Sequence, residues 1–366
     1  MSSPARPSPA RRLLLAAVAM AFGLGLPLLM MEGALRLLPV NSGLAAVDVD
    51  AGQPVFRFAP GRSFVWSAGW AMAGANEGRV NAAGFVNDQD YDASAADPLL
   101  AVIGDSYIEA LMVPYGETLH GRLAAAVDGK GRVYSFAASG APLSQYLAWA
   151  AHARDAYRPR GMVFAVVGND FDESLAAYKT SPGFHHYVRD DDALRLQLFP
   201  FQRGLTKRLA TESALLRYLV MNLKVTALTA GPDGTFVGNT AAEATPPRLA
   251  DSQAAVEAFF RDLPAMSGLP PERIAFVVDA LRDAIYQTSA PADAEASYFG
   301  QMRRHFIERA RTRGYEVIDM QTVMTEAFRR DGQRFDFPYD GHWNGVGHAV
   351  AAEAVKGSRT FRAVFE

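Results

Sequence analysis

From Leu99 to the C-terminus, short and mostly apolar runs alternate with longer stretches of helical periodicity. No other feature of the chain narrows its fold as much. Leu99–Ile103, Val133–Ala138, Met162–Val167, Ile274–Val278 and Tyr315–Asp319 have the length and character of strands, the first buried on both faces. Leu119–Val127, Leu143–Tyr157, Ala294–Arg313 and a segment from Asn344 carrying Ala349, Val350, Ala352 and Ala354 predict helices. Strands that alternate with helices predict a parallel sheet covered on both faces over residues 99–366.

Residues 171–272 interrupt this rhythm and read as an insertion lying over the site. Within it, His185–Asp192 is polar, Thr211–Leu228 predicts an amphipathic helix, Thr235–Pro247 a loop, and Asp251 a helix N-cap. Ahead of the α/β region, residues 41–98 carry too many aromatics for a spacer and predict a short β-rich extension packed on the main domain. Val55–Phe58 and Phe64–Trp66 are its predicted strands.

The N-terminus bears on compartment. Arg6, Arg11 and Arg12 precede Leu13–Met31, which holds no charged residue and approaches the ~20 residues that cross a bilayer as a helix. Residues 13–38 thus predict a single transmembrane anchor in a bacterial inner membrane. Residues 1–12 are then a disordered cytoplasmic tail, and the rest of the chain lies in the periplasm. The competing reading is a cleaved signal peptide, which also exports the remainder; no convincing small-x-small site precedes Glu32. A net charge of −3 supplies no basic stripe, so nucleic acid is not an expected partner. The chain has no cysteine, which removes disulfides, thiolate metal sites and cysteine nucleophiles.

Three strand ends carry candidate chemistry. Gly104-Asp105-Ser106 follows the first strand, Ala138-Ser139-Gly140 the second, and Gly168-Asn169-Asp170 the third. In a parallel sheet these segments open onto one edge, where ligands bind. Ser106 is the candidate nucleophile. The N–H groups of Ser106 and Gly140 and the amide of Asn169 are candidate oxyanion donors, which acyl transfer to serine requires. A serine hydroxyl also needs a base, and the base an orienting group. Near the C-terminus, Asp340 and His342 stand one residue apart before the last helix, so a bend brings the carboxylate to Nδ1 and leaves Nε2 free. Each block alone is equally a turn or a cap. A metal site through Asp340, His342 and His348 lacks a further ligand set.

In that order, Ser, Gly, Asn and Asp-x-His, the blocks resemble the SGNH (GDSL-type) hydrolase superfamily. The resemblance implies a three-layer α/β/α sandwich, a serine nucleophile at Ser106, a base at His342, an oxyanion hole of Ser106, Gly140 and Asn169, and no required metal or cofactor. The commoner family spacing is Asp-x-x-His. Asp340-Gly341-His342-Trp343 looks instead like the exopolysaccharide O-acetyltransferase branch, including the alginate acetylation proteins, where Asp and His precede the Ser. Arg79–Phe85 looks like the lead-in of membrane-anchored members, and equally like a hairpin that covers a sheet edge. The implied function is a serine-dependent hydrolase of acyl, chiefly acetyl, esters on cell-envelope or extracellular carbohydrate. The alternatives are an O-acyltransferase acting on an exopolysaccharide and an inactive carbohydrate-binding module.

Other residues read as structural. Asp105 and Asp170 hold their turns, His348 packs on the last helix, and Phe259 and Phe260 belong to the core. Trp343 fills space beside His342 or contacts substrate. Tyr107 and Glu109 stand at the pocket mouth, and His185 and His186 are solvated.

Overall fold

The computed structural model describes residues 8–191, 193–204, 211–225, 239–286 and 291–366. The chain divides into two compact units. The first comprises Met1–Gly43, Val65–Ala75 and Gly204–Thr229; the second comprises Leu44–Phe64, Asn76–Arg203 and Ala230–Glu366.

In the first unit, a helix runs over Pro9–Leu35 and is long and apolar enough to cross a membrane, a test that an N-terminal signal sequence also passes. It begins four residues before the expected Leu13, so residues 9–12 are helical rather than a disordered tail. The reason is local: Pro9 suits the first helical position and the Ser8 hydroxyl accepts the Arg11 N–H. Residues 1–7 lie outside the described residues. The helix stops at Leu35 rather than Leu38, where a turn takes over with the Leu37 N–H donating to the Ala34 carbonyl. The Glu32 carboxylate accepts the N–H groups of Ala214 (3.0 Å) and Leu215 (2.9 Å), capping a short helix over Ala214–Arg217. That helix continues into a π-helical turn over Tyr218–Asn222, which is what the predicted Thr211–Leu228 helix becomes. Residues 226–228 of that expectation lie outside the described residues.

The second unit is built on five parallel strands: β1 (Leu99–Gly104), β2 (Arg132–Ala137), β3 (Gly161–Val166), β4 (Ile274–Val278) and β5 (Glu316–Asp319). Their order is β2-β1-β3-β4-β5, all parallel, with Leu100 opposite Gly161 and Met162 opposite Ile274. The expected strands lie within a residue of these bounds. Alternate side chains go to opposite faces. Leu99, Ala101, Ile103, Phe164 and Phe276 share a core with the helices Leu143–Tyr157, Pro246–Ser267 and Tyr298–Thr312. Leu100, Val102, Val163 and Val277 face Leu119–Ala126, Met320–Asp331, Gly345–Lys356 and Arg359–Phe365. The result is the expected three-layer sandwich. A fully buried Phe such as Phe276 contributes about 2–3 kcal/mol relative to exposure.

β2 is an edge strand, and an unpaired edge invites association. Tyr91 covers it: its hydroxyl accepts the Ser135 N–H (3.0 Å) and donates to the Ser135 carbonyl (2.6 Å). Asn87 donates to the Ser135 hydroxyl at 3.0 Å. Val80 and Val86 bridge antiparallel just before it, so the Arg79–Phe85 segment takes the hairpin reading. Val55–Phe58 is not a strand. Phe58 makes only an isolated antiparallel bridge with Ala46; the Phe58 N–H donates to Gly84 and the Phe56 carbonyl accepts the Trp149 indole N–H.

Other expectations are corrected. Ala294–Arg313 is two helices, Pro291–Ala296 and Tyr298–Thr312, because the Ser297 hydroxyl caps Gly300 N–H at 3.1 Å and restarts the helix. Asp251 is no N-cap: the helix begins at Pro246, and Asp251 binds Tyr178 and Arg189. In the polar region, His185–Asp190 pairs with Ala193–Leu198 as a hairpin, and Asp192 lies outside the described residues. His186 is buried, not solvated. Its Nε2 accepts the Ser181 N–H and its Nδ1 donates to the Glu173 carbonyl, which fixes the neutral tautomer. The part of the predicted Thr235–Pro247 loop at 235–238 lies outside the described residues.

Candidate active site

The carboxyl ends of β1, β2 and β3 bring the three sequence blocks to one edge, at the point where strand order reverses between β1 and β3. β1 ends in Gly104, and the chain turns at once into a one-turn helix over Ser106–Glu109. Gly104 is required by packing, since a Cβ there would lie 2.4 Å from the Ile108 side chain. Asp105 caps that turn, its Oδ1 accepting the Tyr107 N–H at 2.9 Å. Burial pushes the Asp105 carboxyl up to about 6, and its Oδ2 lies 3.1 Å from Ser106 Oγ.

Ser106 Oγ has a closer partner. His342 Nε2 stands 2.7 Å away, and Asp340 Oδ1 hydrogen-bonds His342 Nδ1. Asp340 Oδ1 also accepts the His342 backbone N–H at 2.8 Å, a local loop that the one-residue spacing allows. Asp340–Trp343 is a short strand paired with Asp336–Phe337, and Asn344 caps the helix that follows. The structure therefore brings Ser106, His342 and Asp340 together. The bond from Asp340 holds the proton on Nδ1, which leaves the Nε2 lone pair facing the Ser106 hydroxyl.

The loop carrying His342 is anchored from below. The Tyr107 hydroxyl donates to the Gly341 carbonyl at 3.0 Å and accepts from Arg282 Nη2 at 2.6 Å. Arg282 also pairs with Asp279 and Asp336. Trp343 is fully buried and its indole N–H donates to Asp279 Oδ1 at 2.8 Å, so it holds the loop rather than meeting substrate. Tyr107 and Glu109 are buried, not at a pocket mouth. His348 is buried as expected and accepts the Leu119 N–H on Nδ1. Among the described residues no group of three or more His, Asp or Glu is placed to hold a metal ion.

Gly140 sits in the turn after β2, closed by Ala141 N–H to Ala138 carbonyl at 3.1 Å. Its φ of +76° is the left-handed value that a glycine adopts without strain. A Cβ on Gly140 would stand in open space but for Lys179 Nζ at 3.9 Å. The turn is tied to the helix after Ser106, because the Glu109 carboxylate accepts both the Ser139 backbone N–H (3.0 Å) and its hydroxyl. Burial pushes the Glu109 carboxyl up to about 7 against those two bonds.

Asn169 follows β3 in a 3-10 turn. Its Oδ1 accepts from Asn239 Nδ2 at 2.8 Å, and its Nδ2 lies 3.4 Å from Glu173 Oε2, which also binds Lys179 Nζ at 2.5 Å. These partners orient the amide. Asp170 is structural as expected, accepting the Val167 N–H and the Tyr146 hydroxyl, each at 2.8 Å. Burial raises its carboxyl well above the usual range. The sequence reading missed Glu173, Lys179, Asn239, Asp279 and Arg282. The last two follow the end of β4 and share the strand-end signal of the other blocks. The first three lie in the region read as an insertion and carry no local signal.

No protein-family model and no curated protein matches the chain. Solved structures do. An α/β hydrolase, LAE5, from the metagenome of Lake Arreo in Spain is 12% identical, with 73% of this chain and 97% of that chain covered and a TM-score of 0.40. The acetyl xylan esterase AlAXEase is 10% identical, with 70% and 97% covered and a TM-score of 0.37. The salicylyl-acyltransferase SsfX3, from a tetracycline biosynthetic pathway, is 14% identical, with 80% and 59% covered and a TM-score of 0.40.

Proposed function

We propose that the chain is a serine-dependent ester hydrolase of the SGNH type. The reading is carried by one observation: Ser106 Oγ, His342 Nε2 and Asp340 Oδ1 form a continuous relay at the sheet edge where ligands bind. Ser106 Oγ attacks the ester carbonyl carbon as His342 Nε2 takes its proton. The oxyanion is received by the N–H groups of Ser106 and Gly140 and the Asn169 amide. His342 then returns the proton to the leaving alcohol, and water, deprotonated by the same nitrogen, releases the acid from the acyl-serine.

The substrates of this reading are acyl esters, chiefly acetyl, on envelope or extracellular carbohydrate. The domain stands in the periplasm on an inner-membrane helix, which the apolar surface of Pro9–Leu35 supports. Transfer of the acyl group to a sugar hydroxyl is the second reading, favoured by the Asp340-x-His342 spacing. The test is turnover of p-nitrophenyl acetate by the full chain in detergent, wild type against Ser106→Ala, with and without oligosaccharide. Loss of turnover in Ser106→Ala supports the mechanism, and an acetylated sugar in the same tube selects transfer. Equal turnover by both proteins overturns the reading. If wild type is silent, a fluorophosphonate that also fails to label Ser106 leaves the inactive carbohydrate-binding module.

A further inference from the structure

Exposed large apolar side chains are not scattered over this molecule. Outside the Pro9–Leu35 helix they are Leu37 (88% exposed), Leu38 (48%), Trp70 (75%), Leu216 (45%) and Val220 (46%), with Tyr339 the only other among the described residues. All but Tyr339 belong to the first unit. Three separate stretches of chain supply them, and each is tied to the end of the helix. Leu37 and Leu38 follow its last residue, Leu35, within about 10 Å of chain reach. Arg36 Nη2 donates to the Glu212 carbonyl (3.0 Å), and Glu32 caps Ala214–Arg217, so the segment bearing Leu216 and Val220 is fixed to the last turn. Tyr218 donates its hydroxyl to the Trp70 carbonyl (2.9 Å), which brings in the third stretch. Leu35, Val40 and Ala214 pack inward with Met72, Leu215 and Tyr218 as a small core. Leu216 and Val220 stay outside that core and are exposed.

We propose that these five side chains form a second lipid-contacting surface, seated at the boundary between headgroups and acyl chains where the helix leaves the bilayer. The proposal rests on reading Pro9–Leu35 as a membrane anchor. A helix of 27 residues is about 40 Å long against a hydrocarbon core of about 30 Å, so its end and the residues just past it fall in the headgroup layer. A tryptophan is favoured at that depth, because its ring is apolar and its N–H reaches water or headgroups. Leucine and valine beside it bury apolar area in the same layer. Arg36 is ion-paired with Glu32, and the exposed Lys224 adds a cation at the level of lipid phosphates. A membrane surface is the occupant because the patch continues the apolar surface of the helix itself. The consequence for function is that the first unit is held against the membrane by a surface rather than swinging on one helix.

The chain has no cysteine, so single cysteines report position without background. The full chain is reconstituted in phosphatidylglycerol–phosphatidylcholine liposomes with an environment-sensitive fluorophore on Trp70→Cys, Leu216→Cys or Val220→Cys. Leu24→Cys marks the helix, and Glu353→Cys marks an aqueous position. Expected is quenching by headgroup-proximal lipid nitroxide at 70, 216 and 220 several-fold above that at 353, with iodide quenching correspondingly lower. Quenching by deep lipid nitroxide at 24, with 70, 216 and 220 as open to iodide as 353, overturns the lipid surface and leaves the anchor standing. Shielding from iodide without lipid quenching at the three positions makes the patch a protein interface and also overturns it. No lipid quenching at any of the four overturns the anchor and the surface together. Unchanged melting of each labelled chain shows that the cysteine has not unfolded it.

Discussion

His342 Nε2 lies 2.7 Å from Ser106 Oγ, although 236 residues separate the two in the chain. The neighbours of each residue hold that distance. Tyr107, just after the serine, donates its hydroxyl to the carbonyl of Gly341, just before the histidine. Trp343, just after the histidine, is pinned to Asp279 beyond β4. Ser106 and His342 are thus set by the sheet through their immediate neighbours, as the proposed reaction requires, since small misplacements are costly there.

Ser106→Ala and His342→Ala are expected to lower kcat by about 10⁴-fold or more, because relay members act as a unit. Ester turnover checks this, alongside thermal melting, which should move little. A drop of less than tenfold in both variants would remove the relay from the mechanism.

Asp340→Asn should cost about 10²- to 10⁴-fold in kcat with little change in KM. An asparagine can present its amide N–H to His342 Nδ1, which moves the ring proton to Nε2 and removes the free base. Full activity in Asp340→Asn, measured across pH 6 to 9, would show that the hydrogen bond to Nδ1 is not used.

Asn169→Ala should lower kcat by about 10²-fold, the usual cost of one oxyanion donor. Asn239→Ala should reproduce part of that loss, since its amide holds Asn169 Oδ1 at 2.8 Å. The double variant should be no worse than Asn169→Ala alone. Additive losses would mean that Asn239 does not act through Asn169.

Glu109 gives a dependence on pH. Its carboxyl is raised from 4.5 to about 7 in the folded chain, first by burial. A native group that holds its proton more tightly than the unfolded chain costs stability as pH rises from 4.5 to 7. Glu109→Gln removes that slope and keeps an acceptor for Ser139. The melting temperature of Glu109→Gln relative to wild type should therefore climb between pH 5 and pH 8. A flat difference across that range would mean that the carboxyl titrates at its ordinary value.

The strand runs and the three strand-end blocks were legible because burial on both faces forces a continuous apolar run and turns use few residue types. Asp340-x-His342 was legible for the same reason, since its bond closes within one loop. The hairpin at His185–Leu198 was not legible. His186 is polar yet buried, and only the Ser181 N–H and the Glu173 carbonyl make that burial tolerable. Glu109 gave no sign of its tie to Ser139, because about thirty residues, including the helix Leu119–Ala126 and β2, stand between them.

The sequence by itself determined the parallel α/β sandwich, the order of its strands along the chain and the residue types at their ends. Periodicity and turn chemistry are local and leave a local record. Only the tertiary structure decided the sheet order β2-β1-β3-β4-β5, which puts Ser106 and Asn169 just beyond the ends of adjacent strands. It also decided which buried polar groups, Glu109, Asp279 and Arg282, find partners. Those outcomes depend on contacts between segments far apart in the chain, whose satisfaction in a low-dielectric interior is a property of the folded arrangement.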